Sequence, residues 1–549
     1  MNGALVPGAH LVVAPVLLPL ATAALLLVIA NRRTQAAVNL LSMAASLLLA
    51  ARLLAAGGGE PTALAVYLPG NWPVPFGIVL VLDPLAAGML LLAACAGLAA
   101  LLFSLARWHR ASVHFHPLLQ LQLMGLDGAF LTGDLFNLFV FFEVLLAASY
   151  GLLLHGGGAS RVRPGLHYIA VNLLASFLFL IGVALLYGVT GTLNMADIAR
   201  KLPLVPAADR GLLHASAALL AVAFLAKAAF WPLNFWLPAA YAAASAPSAA
   251  MFATLTKVGV YAVLRLWTLC FPETAGLSSH FGGALLVWGG LATLAFGSLG
   301  MLRSQQIGRL AGFSIITSSG TVLAAAGLEL PPLTAGALFY LASSTLAAAA
   351  LFLLAELVER RRQTEVDPPV PDLGQRLPAF GEAPPSDVNL DDRQVPMVGR
   401  VIPGALAFLG ASFLLCTLVV AGLPPLSGFV GKLAMLRAIV DAPRAAGVAL
   451  PAGILFVLLI LSSLTASIAL LRAFIAHFWA VQDRPAQPLR GVEVLPVTLL
   501  LAACLLLAGG GEHALRFARA AAASLHAPQT YIDAVLQMRP VPGPGEAQR

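Results

Sequence analysis

The sequence predicts an all-α polytopic membrane protein of about 14 transmembrane helices, built as two inverted repeats whose seventh and twelfth helices are discontinuous. Three observations carry this. Hydrophobic residues are 60% of the 549 and charged residues only 10%, against about 25% charged in a soluble chain. The apolar residues fall into stretches of about 20, the length that crosses a bilayer. The arginines crowd into alternate loops, as cytoplasmic loops do in membrane proteins.

Twelve uninterrupted spans are expected, centred near residues 21, 45, 95, 121, 145, 177, 258, 292, 317, 344, 466 and 500. Two more, over 221–241 and 410–436, are broken. Residues 1–110 then form an N-terminal three-helix segment, 111–270 a first repeat, 271–480 a second, and 481–549 a last helix with a tail. In the first segment, VYLPGNWPVPFGIVLVLDPL reads as an external hairpin before the third helix. The Pro-rich, mixed-charge loop 357–400 reads as cytoplasmic and partly disordered. In the tail, EHALRFARAAAASLH reads as an amphipathic helix lying on the outer surface.

Arg32 and Arg33, Arg107 and Arg110, Arg161 and Arg163, Arg303 and Arg309, Arg360 to Arg362, and Arg472, Arg484 and Arg490 lie in alternate loops. The intervening loops around residues 57–77, 131–134, 272–281 and 327–332 carry none, while Arg200, Lys201 and Arg210 in an outer loop and Arg516 and Arg519 in the tail are exceptions. This places both termini outside and makes the net charge of +7 a topology signal rather than a nucleic-acid footprint. No basic segment precedes the first apolar stretch, so no cleaved leader is expected. Cys95, Cys270, Cys416 and Cys504 are far apart and form no CxxC, so no iron–sulfur cluster, zinc or other cofactor is expected.

The two broken spans read KAAFWPLNFWLPAAYAAASAPSA and AGLPPLSGFVGK. Proline removes a backbone donor and clashes with the preceding turn. Bare backbone at membrane depth survives only where protein or a wet cavity covers it. Paired breaks in two halves point to a transporter with its ion path at the breaks.

Only four lysines occur, against 27 arginines, and Lys227, Lys257 and Lys432 sit inside apolar stretches. An intramembrane lysine costs about 2.5–3.5 kcal/mol on insertion scales, so three of them need a reason. Lysine gives up its proton on burial and arginine does not, which points to proton chemistry. Glu143 follows the helix start at Asp134 by nine residues, about 13 Å of rise, and so lies near mid-membrane. Its expected partner is Lys227, with Lys257 and Lys432 extending the path. For Lys432 the alternative is a side chain reaching to the interface near Arg437 and Asp441. Asp83 reads as a helix cap, Asp127 as an interfacial residue, and the histidines as residues of helix ends and loops.

Three motifs closely resemble one family: TGDLFNLFVFFEVLLAASYGL, LAKAAFWPLNFWLPAAYAAASAPSAAMFATLTKVGVYAVLR and AGLPPLSGFVGK. They are similar to the D subunit of the Mrp-type multisubunit monovalent cation/proton antiporters, relatives of the antiporter-like subunits of respiratory complex I. The resemblance implies a secondary ion transporter subunit, not an enzyme, in a bacterial plasma membrane. It implies other membrane subunits as partners, Na+ or K+ exchanged for H+, and functional roles for Glu143, Lys227, Lys257 and Lys432. The alternative it leaves open is a proton-pumping membrane subunit of a redox complex. One departure stands out. Where relatives carry a histidine and a further lysine, this chain has Ser343 and Ala348, so the central relay must use water and hydroxyls such as Ser343, Ser344 and Thr345.

Overall fold

A computed structural model describes residues 9–56, 64–111, 114–363, 404–442, 448–479 and 489–541. It begins with α1 (Ala14–Val28) and α2 (Arg32–Ala56). A two-stranded antiparallel hairpin follows, β1 (Ala65–Tyr67) with β2 (Leu80–Leu82), Val66 facing Val81. Asp83 then caps α3 (Pro84–Ser104) by accepting from the Ala86 N–H at 2.8 Å, and the proline at the first turn loses no helical bond there.

The first half runs through α4 (Phe115–Leu131), α5 (Leu135–Leu153), α6 (Ala159–Thr190), the short α7 (Met195–Lys201), α8 (Arg210–Lys227), the short α9 (Leu237–Ala243) and α10 (Ala246–Cys270). The second runs through α11 (Gly283–Arg303), α12 (Ile307–Gly327), α13 (Pro331–Gln363), α14 (Gly404–Ala421), α15 (Ser427–Val440) and α16 (Ala449–Phe474). Counting α8 with α9, and α14 with α15, as one interrupted span each, both halves have five spans. In each, the third span is the longest, at 32 and 33 residues, and the fourth is broken. Five is odd, so the second half starts from the opposite face and the repeats are inverted. The chain ends with α17 (Gly491–Gly509), α18 (Gly511–His526) and α19 (Pro528–Leu536).

Twelve of the described helices are long and apolar enough to cross a membrane. α1 and α4, at 15 and 17 residues, are the two expected spans that fall short of that length. Every expected span centre falls on a helix. α10 is enclosed on all sides. The outer helices present leucine, valine and phenylalanine outward, as at Leu48, Phe177 and Leu464, which suits lipid or neighbouring subunits.

Two expectations about the fold change. α13 continues to Gln363, so the polar loop starts later than 357, and 364–403 lie outside the described residues. The tail helix α18 does not simply lie on the surface. Its alanine-rich face, with Ala518, Ala521 and Ala522 buried, packs on α13, α3 and α10, and α19 rests on α7. The basic residues in the arginine-poor loop are also accounted for: Arg200 and Lys201 both pair with the buried carboxylate of Asp197.

Candidate functional site

Each buried lysine sits where the chain departs from a regular helix or where two helices cross closely. Lys227 is the last residue of α8. Beyond it the backbone unwinds through Pro232 until α9 begins, and the freed Trp231 N–H is satisfied by Thr293 Oγ1 of α11 at 2.9 Å. α10 crosses this end at Gly259, which has no side chain to separate it from the Lys227 and Ala228 backbone. Lys227 Nζ donates to Ser176 Oγ of α6 at 3.4 Å and lies 5.1 Å from the centre of the Phe142 ring. It lines a cavity of about 10 Å³ with Tyr168, Asn172, Tyr241 and Val258, about the room one water needs.

Glu143 does not meet Lys227 as expected. On α5, Phe141 and Leu145 pack against Gly128 and Gly125 of α4, and this turns Glu143 toward the side of α5 that carries exposed Phe136 and Val140. No Glu143–Lys227 ion pair forms within 4 Å, and Glu143 Oε1 is buried with no hydrogen-bond partner among the described residues. The Phe142 ring is the group next to the ammonium instead, a cation–π contact. The carboxylate remains within electrostatic reach of Lys227.

Lys257 is fully buried on α10. Its Nζ donates to Ser318 Oγ at 2.5 Å, Ser319 Oγ at 3.1 Å and Ile315 O at 3.5 Å, all on α12. One residue before it, Thr256 Oγ1 is 2.8 Å from Tyr241 Oη, a lining residue of the Lys227 cavity. Hydroxyls therefore extend from the first lysine to the neighbour of the second.

Lys432 lies within α15 and is buried, so it does not reach for the interface; Arg437 and Asp441 pair with each other at 3.4 Å on the surface. Gly422 ends α14 at a φ of 74°, a left-handed conformation glycine adopts without strain. The Lys432 stem crosses that glycine, and its Nζ donates to Ala421 O at 3.1 Å. An ammonium at the carbonyl end of a helix is favoured by the helix dipole. Ser462 and Ser463 of α16 accept from the same nitrogen at 3.3 and 2.8 Å.

Among the described residues, none of these three lysines has a carboxylate within 4 Å; each is held by hydroxyl or carbonyl oxygens. Of the hydroxyls expected at the centre, Ser343 bridges α13 to α15 through Ser427 at 2.7 Å. Ser344 and Thr345 only bond back to Leu341 O of their own helix. Sequence reasoning missed the serines at 176, 318, 319, 462 and 463. The adjacent pairs Ser318–Ser319 and Ser462–Ser463, inside apolar spans, were the available signal.

Known proteins share this architecture. The family described as "NADH:quinone oxidoreductase/Mrp antiporter, TM" matches residues 132–380. A protein from Rhizobium meliloti (strain 1021), named as the D subunit of a probable K(+)/H(+) antiporter, is 53% identical over 474 residues, 86% of each chain. One from Alkalihalophilus pseudofirmus, named as the D subunit of a Na(+)/H(+) antiporter, is 34% identical over 476 residues, 85% of this chain and 87% of that one. A chain in the structure of the Mrp complex from Dietzia sp. DQ12-45-1b superposes with a TM-score of 0.77 at 26% identity, covering 97% of this chain and 100% of that one.

Proposed function

The chain belongs to the D-subunit family of Mrp-type monovalent cation/proton antiporters, and from that premise we propose that Glu143, Lys227, Lys257 and Lys432 form its proton path. It is a multi-pass membrane transporter subunit, not an enzyme, and other membrane subunits are its partners. One observation carries the proposal: three buried ammonium groups, each held only by neutral oxygens.

An ammonium so held keeps or loses its proton according to small changes in its surroundings. Burial disfavours the charged form and a nearby carboxylate favours it. Each 1.4 kcal/mol of difference shifts occupancy about tenfold. Movement of α5 or the α8 terminus that brings Glu143 toward Lys227, past the Phe142 ring, loads the lysine. Separation unloads it toward the small cavity, Tyr241 and Thr256, and so toward Lys257. Ser343 joins α13 to Ser427 of α15, the helix that carries Lys432, and this bridge extends the path.

Potassium is the proposed cargo, since the relative at 53% identity is named for K(+) and the one at 34% for Na(+). The bacterial relatives support a bacterial plasma membrane location, and the arginine distribution supports both termini external. A proton entering through 100 mV supplies about 2.3 kcal/mol for cation export. The test is cation-driven proton flux in everted vesicles carrying the assembled complex. Glu143→Gln and Lys227→Ala should each abolish flux with assembly intact. Normal flux in either variant would remove that residue from the path.

A further inference from the structure

The N-terminal helices enclose a polar seam that the lysine path does not use. At its base, Asn39 of α2 holds two residues of α4. Its Nδ2 is 2.8 Å from His116 Nδ1, and its Oδ1 accepts from Gln120 Nε2 at 2.6 Å. All three are buried, and His116 Nε2 and Gln120 Oε1 have no hydrogen-bond partner among the described residues. The His116 ring lies 5.8 Å from that of His109, which is partly exposed and packs beside Arg110. The base of the seam therefore opens on the arginine-rich face.

A second level lies deeper. Ser46 is two turns beyond Asn39 on the same face of α2. Asp127 is three turns beyond His116 on the same face of α4, about 16 Å along the axis. Ser46 Oγ and Asp127 Oδ1 are both buried without a partner among the described residues, and so is Thr254 Oγ1 of α10. Contacts fix their depth. α2, α4 and α10 all start at the same end, because Asn39 meets His116 and Ser248 bonds to Leu152 O, while Gly151 lies on Leu118. Gly97 of α3 lies between Met43 and Met251, so Ser46 and Thr254, three residues on from each, share a level. Tyr261 Oη donates to Phe130 O at 2.5 Å. Lys257 and Asp127, about one turn below that bond on adjacent helices, share the next level.

Asp127 is thus no interfacial residue, contrary to the expectation from its position near the helix end. It is 3% exposed and stands at the depth of Lys257. Unpartnered buried polar atoms at two levels of one seam call for water between them.

We propose that this seam is a hydrated proton exit to the arginine-rich face, in which Asp127 takes the proton from Lys257. The Lys257 ammonium gives its proton through water to a carboxylate oxygen of Asp127 and is left as the neutral amine. Asp127 then releases the proton through water past Gln120, His116 and His109 and returns to its carboxylate. The proposal rests on the reading that Lys257 carries protons.

Two measurements on the assembled complex test it. The first is labelling of Ser46→Cys by a small water-soluble methanethiosulfonate, scored above the background of the native cysteines. Reaction from the arginine-rich side only is expected; no reaction from either side overturns the seam. The second is flux: Asp127→Asn should lower cation-driven proton flux by ~100-fold or more, the order of a lost proton-transfer group. Asp127→Glu should recover most of it, and the apparent affinity for the cation should not change. Native flux in an assembled Asp127→Asn complex overturns the proposal even where Ser46→Cys reacts. If Asp127→Asn does not assemble, the labelling result decides. Should Glu143→Gln and Lys227→Ala keep full flux, the lysine path falls, while the labelling still reports on the seam by itself.

Discussion

Gly259→Ala probes how tightly Lys227 must be placed. A methyl at Gly259 would stand 2.5 Å from Ala228 N, 2.7 Å from Phe224 O and 2.9 Å from the Lys227 carbonyl carbon. All three are backbone atoms and cannot swing aside. Ordinary contact begins at 3.4 Å, so the end of α8 must retreat by about 0.9 Å. Overpacking of this kind costs roughly 1–3 kcal/mol, offset by about 1 kcal/mol because alanine is the better helix former. The net loss is small, and the chain should still insert and assemble. Flux should suffer far more, because Lys227 is the last residue of α8 and moves with it. A displacement near 1 Å costs on the order of 100-fold where reacting groups must align. The assay is cation-driven proton flux in everted vesicles, normalised to complex recovered by copurification. Gly188→Ala on α6 is the control, since nothing lies within 4 Å of its added carbon. Flux within twofold of native in an assembled Gly259→Ala complex would refute the placement argument.

Three further outcomes are expected. Arg265→Met breaks the buried pair with Asp83, 2.6 Å apart, and should lower the melting temperature of the purified complex by the equivalent of about 3–5 kcal/mol; an unchanged melt would mean the pair contributes nothing net. Ser343→Ala removes the 2.7 Å bridge to Ser427 and should slow flux by up to roughly tenfold, the equivalent of one lost hydrogen bond of about 0.5–1.5 kcal/mol; unchanged flux would take that bridge out of the relay. His155 lies in the loop after α5, where burial holds its imidazole below the ordinary value of 6.5. The unfolded chain therefore binds the extra proton first, and this histidine lowers stability as pH falls through 6.5. His155→Gln should flatten the acid side of the melting-temperature profile, and an identical profile would contradict this.

What the sequence made legible was local. Span length, the proline and glycine breaks and the three lysines in apolar surroundings are properties of short segments, and each is found in the structure. What it did not show depends on helix rotation and on contacts between distant segments. Glu143 falls on α5, nine residues after the Asp134 cap, but two glycines of α4 turn it away from Lys227. Asp83 was correctly read as a cap; its second partner, Arg265, is 182 residues away. The serines at 318 and 319 were visible as hydroxyls, yet only the packing of α12 on α10 shows that they face Lys257. Asp127 reads as interfacial because α4 ends four residues later, but α10 covers that end, where its Tyr261 hydroxyl donates to Phe130 O.

The central claim is that Lys227 works by taking up and releasing a proton, rather than by holding helices together as a fixed charge. Lys227→Arg separates the two, because a guanidinium keeps the charge and the donors but does not release its proton. The decisive measurement is cation-dependent proton flux in the assembled Lys227→Arg complex. The account predicts that flux is lost while assembly persists. Near-native flux would contradict it and leave Lys227 as a structural charge.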